Sequence, residues 1–362
     1  MNTNMQTYII AEAGVNHNGD LELAKKLIDV AVEAGVDAIK FQSFRAENVI
    51  SRNAPKAEYQ IQMTDNSESQ LDMIRKLELS EQEHKELIAY AKEQNIIFLS
   101  TPFDIPSVYL LTKDLGLKTL KVPSGEISNL PFLLVIARSA EKVILSTGMS
   151  TLSEIEMALG VFAFGFTRPT SEIPKGNDFE KAFCSQEGQI ALNEKLTILH
   201  CTTEYPAPFP EVNLAAMETL HTAFGVTVGY SDHTTGIHIS LAAVARGAKT
   251  IEKHFTLDRT MEGPDHKASL EPNELCALVR QTREIEQALG DGVKRVTASE
   301  WKNRDVARKS LVAASNIKKG DVFTEENLTC KRPGTGISAN QWYGILGKTA
   351  NRSFDVDELI EI

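Results

Sequence analysis

The sequence predicts a (β/α)8 TIM barrel followed by a small β-rich domain, and three observations predict it. Short, nearly continuous apolar runs alternate eight times with amphipathic stretches, as strands covered on both faces alternate with their covering helices. This rhythm fills about 290 residues, the span of a barrel domain. It then stops, and short strands and turns take over. A doubly wound open sheet is the competing architecture. It concentrates its chemistry at one switch point, whereas here nearly every apolar run ends in polar residues.

In chain order, the runs at 8–11, 38–42, 96–100, 119–122, 142–146, 196–200, 226–229 and 250–253 read as strands one to eight. Between them, stretches such as 21–34, 81–94 and 152–162 place apolar residues three and four apart, the spacing of one helix face. Two regions break the pattern. Residues 166–195 are rich in Pro, Ser, Glu and Gly without a clear period, and read as an exposed insertion on the barrel rim rather than a lid. Residues 290–303 are polar and charged and read as a linker. They separate a barrel domain, 1–289, from the β-rich domain, 304–362. A module that small has a marginal core and is expected to lean on another surface.

The chain has 362 residues, 42% of them hydrophobic and 24% charged, and carries a net charge of −11. That balance argues against nucleic acid or an anionic membrane as partner. It allows a phosphorylated small substrate if a few basic residues are focused in one pocket. The N-terminal stretch has no basic region and no apolar run approaches 18 residues, so neither a signal peptide nor a membrane span is expected. Cys184, Cys201, Cys276 and Cys330 lack any short paired spacing, which fits a reducing cytoplasm.

Barrel enzymes build their sites at the C-terminal ends of the strands. Here those ends carry Glu12, Lys40 and Gln42, Ser100 and Thr101, Lys121 with Ser124 and Glu126, Ser146, Thr202 with Thr203 and Tyr205, Ser231 with Asp232 and His233, and Glu252 with Lys253 and His254. Polar groups ending all eight strands are hard to explain as packing. Lys40 and Lys121 either snorkel to the rim or pair with a barrel carboxylate, or, with Ser124 and Ser146, hold a phosphate and a carboxylate on one small molecule. His233 and His254 end neighbouring strands beside carboxylates, an arrangement that suits a first-row divalent ion open to water and substrate. His200 reads as core, and His84, His221 and His238 as structural or solvated. Glu12 and Glu126 are either an acid/base pair or the counter-charges of the two lysines. Asp265, after a Gly-Pro turn, is either a receiver of substrate hydroxyls or turn chemistry.

The segments IAEAGVNHNGD, KFQSF, STPFD, KVPSGE, STGM, HCTTEYP, GYSDHT and EKHFTLD followed by GPDH occur in that order. Together they closely resemble the bacterial sialic acid (N-acetylneuraminate) synthase family. The tail, from ARKS through KRPGTGIS to LGK, resembles that family's antifreeze-protein-like (SAF) domain. Outside 166–195 the resemblance covers nearly the whole chain. It implies condensation of phosphoenolpyruvate with an N-acetylmannosamine-type aldose, giving N-acetylneuraminate or N,N'-diacetyllegionaminate and phosphate. Pseudaminic acid synthases share the motifs. A metal-dependent aldolase is the nearest other enzyme, and a carbohydrate- or ice-binding protein with a relic barrel is a rival of another class.

The same resemblance assigns roles. Residues matching Lys40, Lys121, Ser124, Ser146 and Ser231 hold phosphoenolpyruvate. A further contact is an asparagine in some members and Thr203 here, and a hydroxyl replaces one amide donor only in part. His233 and His254 match ligands of a divalent metal, manganese foremost, with magnesium or cobalt as alternatives. Gln42, Tyr205 and Asp265 match positions that meet the sugar, and Glu12 and Glu126 match carboxylates at the reacting centre. Arg332 matches a residue that reaches into the neighbouring subunit's site, which implies a domain-swapped homodimer. On the choice of sugar, AEAGVNHNGDL and GYSDHTTGIHIS look more like legionaminic acid synthases, whereas APKAEYQI and QWYGILGK look more like N-acetylneuraminate synthases.

Overall fold

The computed structural model describes residues 6–51 and 69–362. APKAEYQI lies outside them. The chain divides into two compact units after Gly290, and each is described by itself.

The first unit is built on eight parallel strands, β1 Tyr8–Gly14, β2 Ala38–Ser43, β3 Ile97–Pro102, β4 Thr119–Val122, β5 Lys142–Ser146, β6 Leu196–His200, β7 Thr227–Asp232 and β8 Thr250–His254. The ladder runs β3-β2-β1-β8-β7-β6-β5-β4, and β3 and β4 lie side by side to complete the round. Alternation along each strand decides what faces where. Ile9, Ala11, Ile39, Phe41 and Phe98 join the apolar cluster that packs the surrounding helices. Ile10, Ala38, Leu99, Ile144 and Leu199 form a separate apolar layer inside the barrel. Two residues further along four of those strands stand Glu12, Lys40, Thr101 and Ser146, all buried. A polar layer therefore sits one pleat above an apolar plug, at the C-terminal mouth.

The helices end where local chemistry dictates. Leu21–Ala34 is capped by Asp20, whose side chain accepts from the amides of Glu22 and Leu23, and stops at Gly35 with φ 75°, a left-handed conformation that costs glycine little. Close packing also requires Gly229 in β7, because a Cβ there would lie 2.5 Å from the Thr250 carbonyl oxygen and 2.6 Å from Leu199 Cδ2. Gly229→Ala is expected to destabilise the barrel by about 1–3 kcal/mol, an overpacking cost, read as a lowered Tm in thermal unfolding.

Two expectations are corrected. Residues 166–195 are not an irregular insertion. The helix Leu152–Thr167 runs on past residue 162, and Asp178–Cys184 and Gln186–Lys195 are helices leading directly into β6. Helical periodicity was hidden for opposite reasons. Leu152–Thr167 is buried almost all round between Ala158 and Gly165, and Gln186–Lys195 buries only Gly188, Ala191 and Leu192. Nor is 290–303 wholly a linker, since Ala298–Ala307 is a helix with no buried residue. Its signal was the Thr297–Glu300 capping box, in which each side chain accepts from the other's backbone amide.

The second unit contains that helix and an antiparallel pair, β9 Ser310–Ala313 with β10 Leu328–Lys331. It has its own core, in which Leu311, Ile317, Phe323, Phe354 and Ile360 are almost fully buried. Among the described residues, no helix is long and apolar enough to cross a membrane.

Candidate active site

A cavity of about 310 Å³ opens at the C-terminal mouth of the barrel. Of the barrel residues assigned a role from the sequence, all but Glu126 line it: Glu12, Lys40, Gln42, Lys121, Ser124, Ser146, Thr203, Tyr205, Ser231, His233, His254 and Asp265 are in its wall. Arg332 is in the second unit, where it is exposed and its Nε donates to the Ala307 carbonyl at 3.0 Å.

The floor is a buried charge cluster. Lys40 Nζ lies 2.6 Å from Glu12 Oε2 and 3.6 Å from Glu252 Oε2, and donates to Thr101 Oγ1 at 3.0 Å. Lys121 Nζ lies 3.4 Å from Glu252 Oε1, which also accepts from Ser231 Oγ at 2.9 Å. Burying four ionisable groups is costly and adds little to stability, so the cluster calls for a functional reason. Burial, with the charge of Glu252 added, pushes Glu12 up to about 7 against the opposing pull of Lys40. Burial also works to raise Glu252, but Lys121 and Lys40 outweigh it and hold that carboxyl down at about 2. Burial lowers Lys121, whereas for Lys40 the two carboxylates overcome burial and raise it. The two lysines balance the two carboxylates while Glu12 is ionised, and a proton taken up by Glu12 leaves a net positive charge beneath the cavity. That suits an anion.

Hydroxyls surround this floor. Ser124 Oγ accepts from the Gly148 amide at 2.9 Å and sits 3.3 Å from Cys201 Sγ. Thr203 Oγ1 is buried with no hydrogen-bond partner, so its donor is available to a bound molecule. Glu252, Thr101 and Gln70 are the polar wall residues given no role from the sequence. The signal for Glu252 was its spacing, because Glu252 and His254, like Ser231 and His233 or Lys40 and Gln42, are two apart and share the inner face of a strand. The converse correction is Glu126. After Pro123 the chain enters a 3-10 turn, Ser124–Glu126, which rotates successive side chains by about 120°. Ser124 meets the cavity, and Glu126 turns away to accept from Asn129 Nδ2 at 2.7 Å.

Above the floor are the two imidazoles, with ring centroids 5.8 Å apart. His233 Nδ1 donates to the Thr202 carbonyl at 2.6 Å, which leaves Nε2 as the lone-pair nitrogen. Tyr205 OH and Ser231 Oγ approach that nitrogen at 3.3 and 3.2 Å, and the Tyr205 ring stacks on His233 at 4.2 Å. Burial holds His233 down at about 4. Burial and the neighbouring His233 and Lys40 hold His254 well below its ordinary value. His254 Nδ1 is buried without a hydrogen-bond partner, 3.8 Å from Asp265 Oδ2, whose carboxyl burial raises to about 6. Two neutral imidazoles, one with its other nitrogen anchored to a carbonyl and the other with an orphaned nitrogen, fit a divalent cation. Among the described residues no three His, Cys, Asp or Glu side chains converge on one point, so an ion held here keeps positions for water and substrate.

Lys121→Met is expected to weaken binding of a phosphorylated carboxylate by about one to two decades, the worth of one charged contact. Titration calorimetry with phosphoenolpyruvate checks this. An equal loss for a neutral sugar would point to a fold defect instead.

Comparison with known proteins places this arrangement. Residues 27–294 match the model of the NeuB family and residues 308–361 that of the SAF domain. The chain is 58% identical to an N,N'-diacetyllegionaminic acid synthase of Campylobacter jejuni, over 98% of this chain and 99% of that protein. It is 42% identical to the enzyme so named in Legionella pneumophila, over 95% and 90%. A crystal structure of N-acetylneuraminic acid synthetase from Leptospira borgpetersenii, in complex with citrate, superposes with a TM-score of 0.68 at 36% identity, covering 83% of this chain and 90% of that one. The eight-stranded barrel with its charged mouth, and the small domain after it, belong to a member of the NeuB family that carries a C-terminal SAF domain.

Proposed function

We propose that the protein is a nonulosonic acid synthase, condensing phosphoenolpyruvate with an N-acetylated mannose-type aldose to give a nine-carbon 2-keto sugar acid and phosphate. The observation that carries this reading is one cavity with two chemically distinct ends. Lys40, Lys121 and the hydroxyls of Ser124, Ser146 and Ser231 suit a phosphate and a carboxylate, and His233, His254, Tyr205, Gln42 and Asp265 suit a polar sugar. The curated relatives in Campylobacter and Legionella favour the 4-acetamido-6-deoxy form of the aldose, and hence N,N'-diacetyllegionaminate as product.

In the reaction, C3 of phosphoenolpyruvate bonds to the aldehyde carbon of the open-chain sugar, and positive character develops at C2. The C=O π pair moves to the aldehyde oxygen, which takes up a proton and becomes a hydroxyl. Water adds to C2, and the resulting tetrahedral intermediate loses phosphate by C–O cleavage. Lys40 and Lys121 hold the anion against the floor, so the two carbons meet in attack geometry. Glu12, pushed up to about 7, takes the proton from the water as it adds, a task that needs a carboxyl titrating near the working pH. Glu252, held ionised between the lysines, offsets the positive character at C2. A divalent metal, manganese foremost, would be held by His233 and His254 and would supply polarisation of the aldehyde oxygen.

The protein is further proposed to act in the cytoplasm as a homodimer in which Arg332 of each chain reaches the sugar end of its partner's cavity. The reaction is tested by mixing the protein with phosphoenolpyruvate and either acceptor, with and without EDTA, and measuring phosphate. One phosphate per sugar acid formed is expected, and only without chelator. Sugar acid formed from pyruvate with no phosphate would mean an aldolase instead.

A further inference from the structure

The cavity wall has a polar side and an apolar side. Most of its polar side chains come from the eight strand ends, whereas Val15, Phe44, Val49, Ile50, Ile74 and Phe103 come from segments between β1 and the turn after β3, where Gln70 is their polar neighbour. They form one arc of the ring, across the mouth from Ser124, Ser146 and Thr203 at the ends of β4, β5 and β6. The arc is firmly built. Val15 and Phe44 are buried together with Leu77, with Ile74 and Phe103 packed against them, and Phe44 meets Phe103 edge to face at 6.1 Å. Ile50, Ile74 and Phe103 are half-buried and Val49 is exposed, so each keeps surface for a ligand.

Along these apolar side chains a sugar hydroxyl would give up water and find no partner beyond Gln70. The arc is a good place for methyl groups. N-acetylmannosamine carries a hydroxyl at C4 and a hydroxymethyl at C5. Its 4-acetamido-6-deoxy analogue carries an acetamido methyl and a bare methyl at the same two places. We infer that this arc is the specificity element of the site, taking the C6 methyl and the 4-acetamido methyl of a 2,4-diacetamido-2,4,6-trideoxy aldose and disfavouring the more hydroxylated acceptor. The inference rests on the synthase reading above and names residues that select between its acceptors.

The test is the ratio of kcat/KM for the two acceptors at saturating phosphoenolpyruvate, in wild type and in Ile74→Ser, Val49→Ser and Ile74→Leu. Wild type is expected to favour the diacetamido acceptor by about ten- to two-hundredfold, the discrimination that one or two methyl groups give in an apolar pocket. Ile74→Ser lowers the ratio about tenfold, and the loss falls on the diacetamido acceptor while KM for phosphoenolpyruvate holds. Ile74→Leu restores the ratio. Val49→Ser, at an exposed position that tolerates polarity, lowers it in the same direction even if Ile74→Ser folds poorly. Serine variants that keep the wild-type ratio, or a wild type that prefers N-acetylmannosamine, would overturn the apolar arc as selector and leave the synthase reading standing. A wild type that condenses phosphoenolpyruvate with neither acceptor would instead overturn the synthase reading.

Discussion

His233→Ala is expected to lower turnover about a thousandfold, since Lewis-acid polarisation supplies several kcal/mol and each 1.4 kcal/mol is a decade. The protein should stay folded, because His233 lies at the cavity and the barrel core does not depend on it. The physical basis is the tautomer. Thr202 fixes the proton on Nδ1, and burial keeps the ring neutral at about 4, so a lone pair is ready at neutral pH without proton loss. Alanine removes that donor and leaves the orphaned nitrogen of His254 alone. Calorimetric titration with Mn2+ should show binding by wild type and none by the variant, with unchanged circular dichroism in both. Stripping wild type with EDTA should reproduce the loss, and adding Mn2+ back should reverse it. A stripped wild type that kept its rate would remove the metal from the mechanism.

Two impaired variants are expected to rescue one another. Arg332→Ala alone should cost about ten- to a hundredfold, the loss of hydrogen bonds from one charged group to neutral sugar oxygens. Glu12→Gln should be inactive because its side chain cannot take the water proton. Arg suits the capping role through its planar fork, which binds substrate oxygens with two parallel hydrogen bonds. Its side chain is tied within its own unit, since Nε donates to the carbonyl of Ala307, the last residue of the helix Ala298–Ala307. Mixing the two variants under conditions of subunit exchange should return activity to about a quarter of wild type, because half the dimers are mixed and each has one intact site. A mixture that gains no activity after exchange has been proven would confine Arg332 to its own chain or remove it from the site.

Most of the polar wall was legible in the sequence because of strand alternation. Once a run such as AIKFQS or TIEKH is read as a strand, every second residue shares a face, so Lys40 with Gln42 and Glu252 with His254 enter the mouth together. Lys40, Ser146, Ser231, His233 and His254 were found in this way, and all line the cavity. The helices of 166–195 and 298–307 were missed because periodicity reports only one-sided burial. A helix enclosed almost all round and a helix with no buried residue both lack that contrast.

The sequence by itself determined the barrel, its polar mouth and the small domain after it, since each follows from spacing within a few residues along the chain. Only the tertiary structure decided which carboxylates work together. Glu12 and Glu252 are 240 positions apart, yet β1 and β8 are neighbours in register, with Glu12 opposite His254, and Lys40 from β2 lies between the two carboxylates. Glu126 follows the same strand as Lys121 and is still excluded, because one 3-10 turn carries its side chain to Asn129. Spacing along a strand is a local property that the sequence carries. The pairing of charges across a barrel depends on ring closure and register between distant segments, and their proton affinities depend on the burial that closure creates.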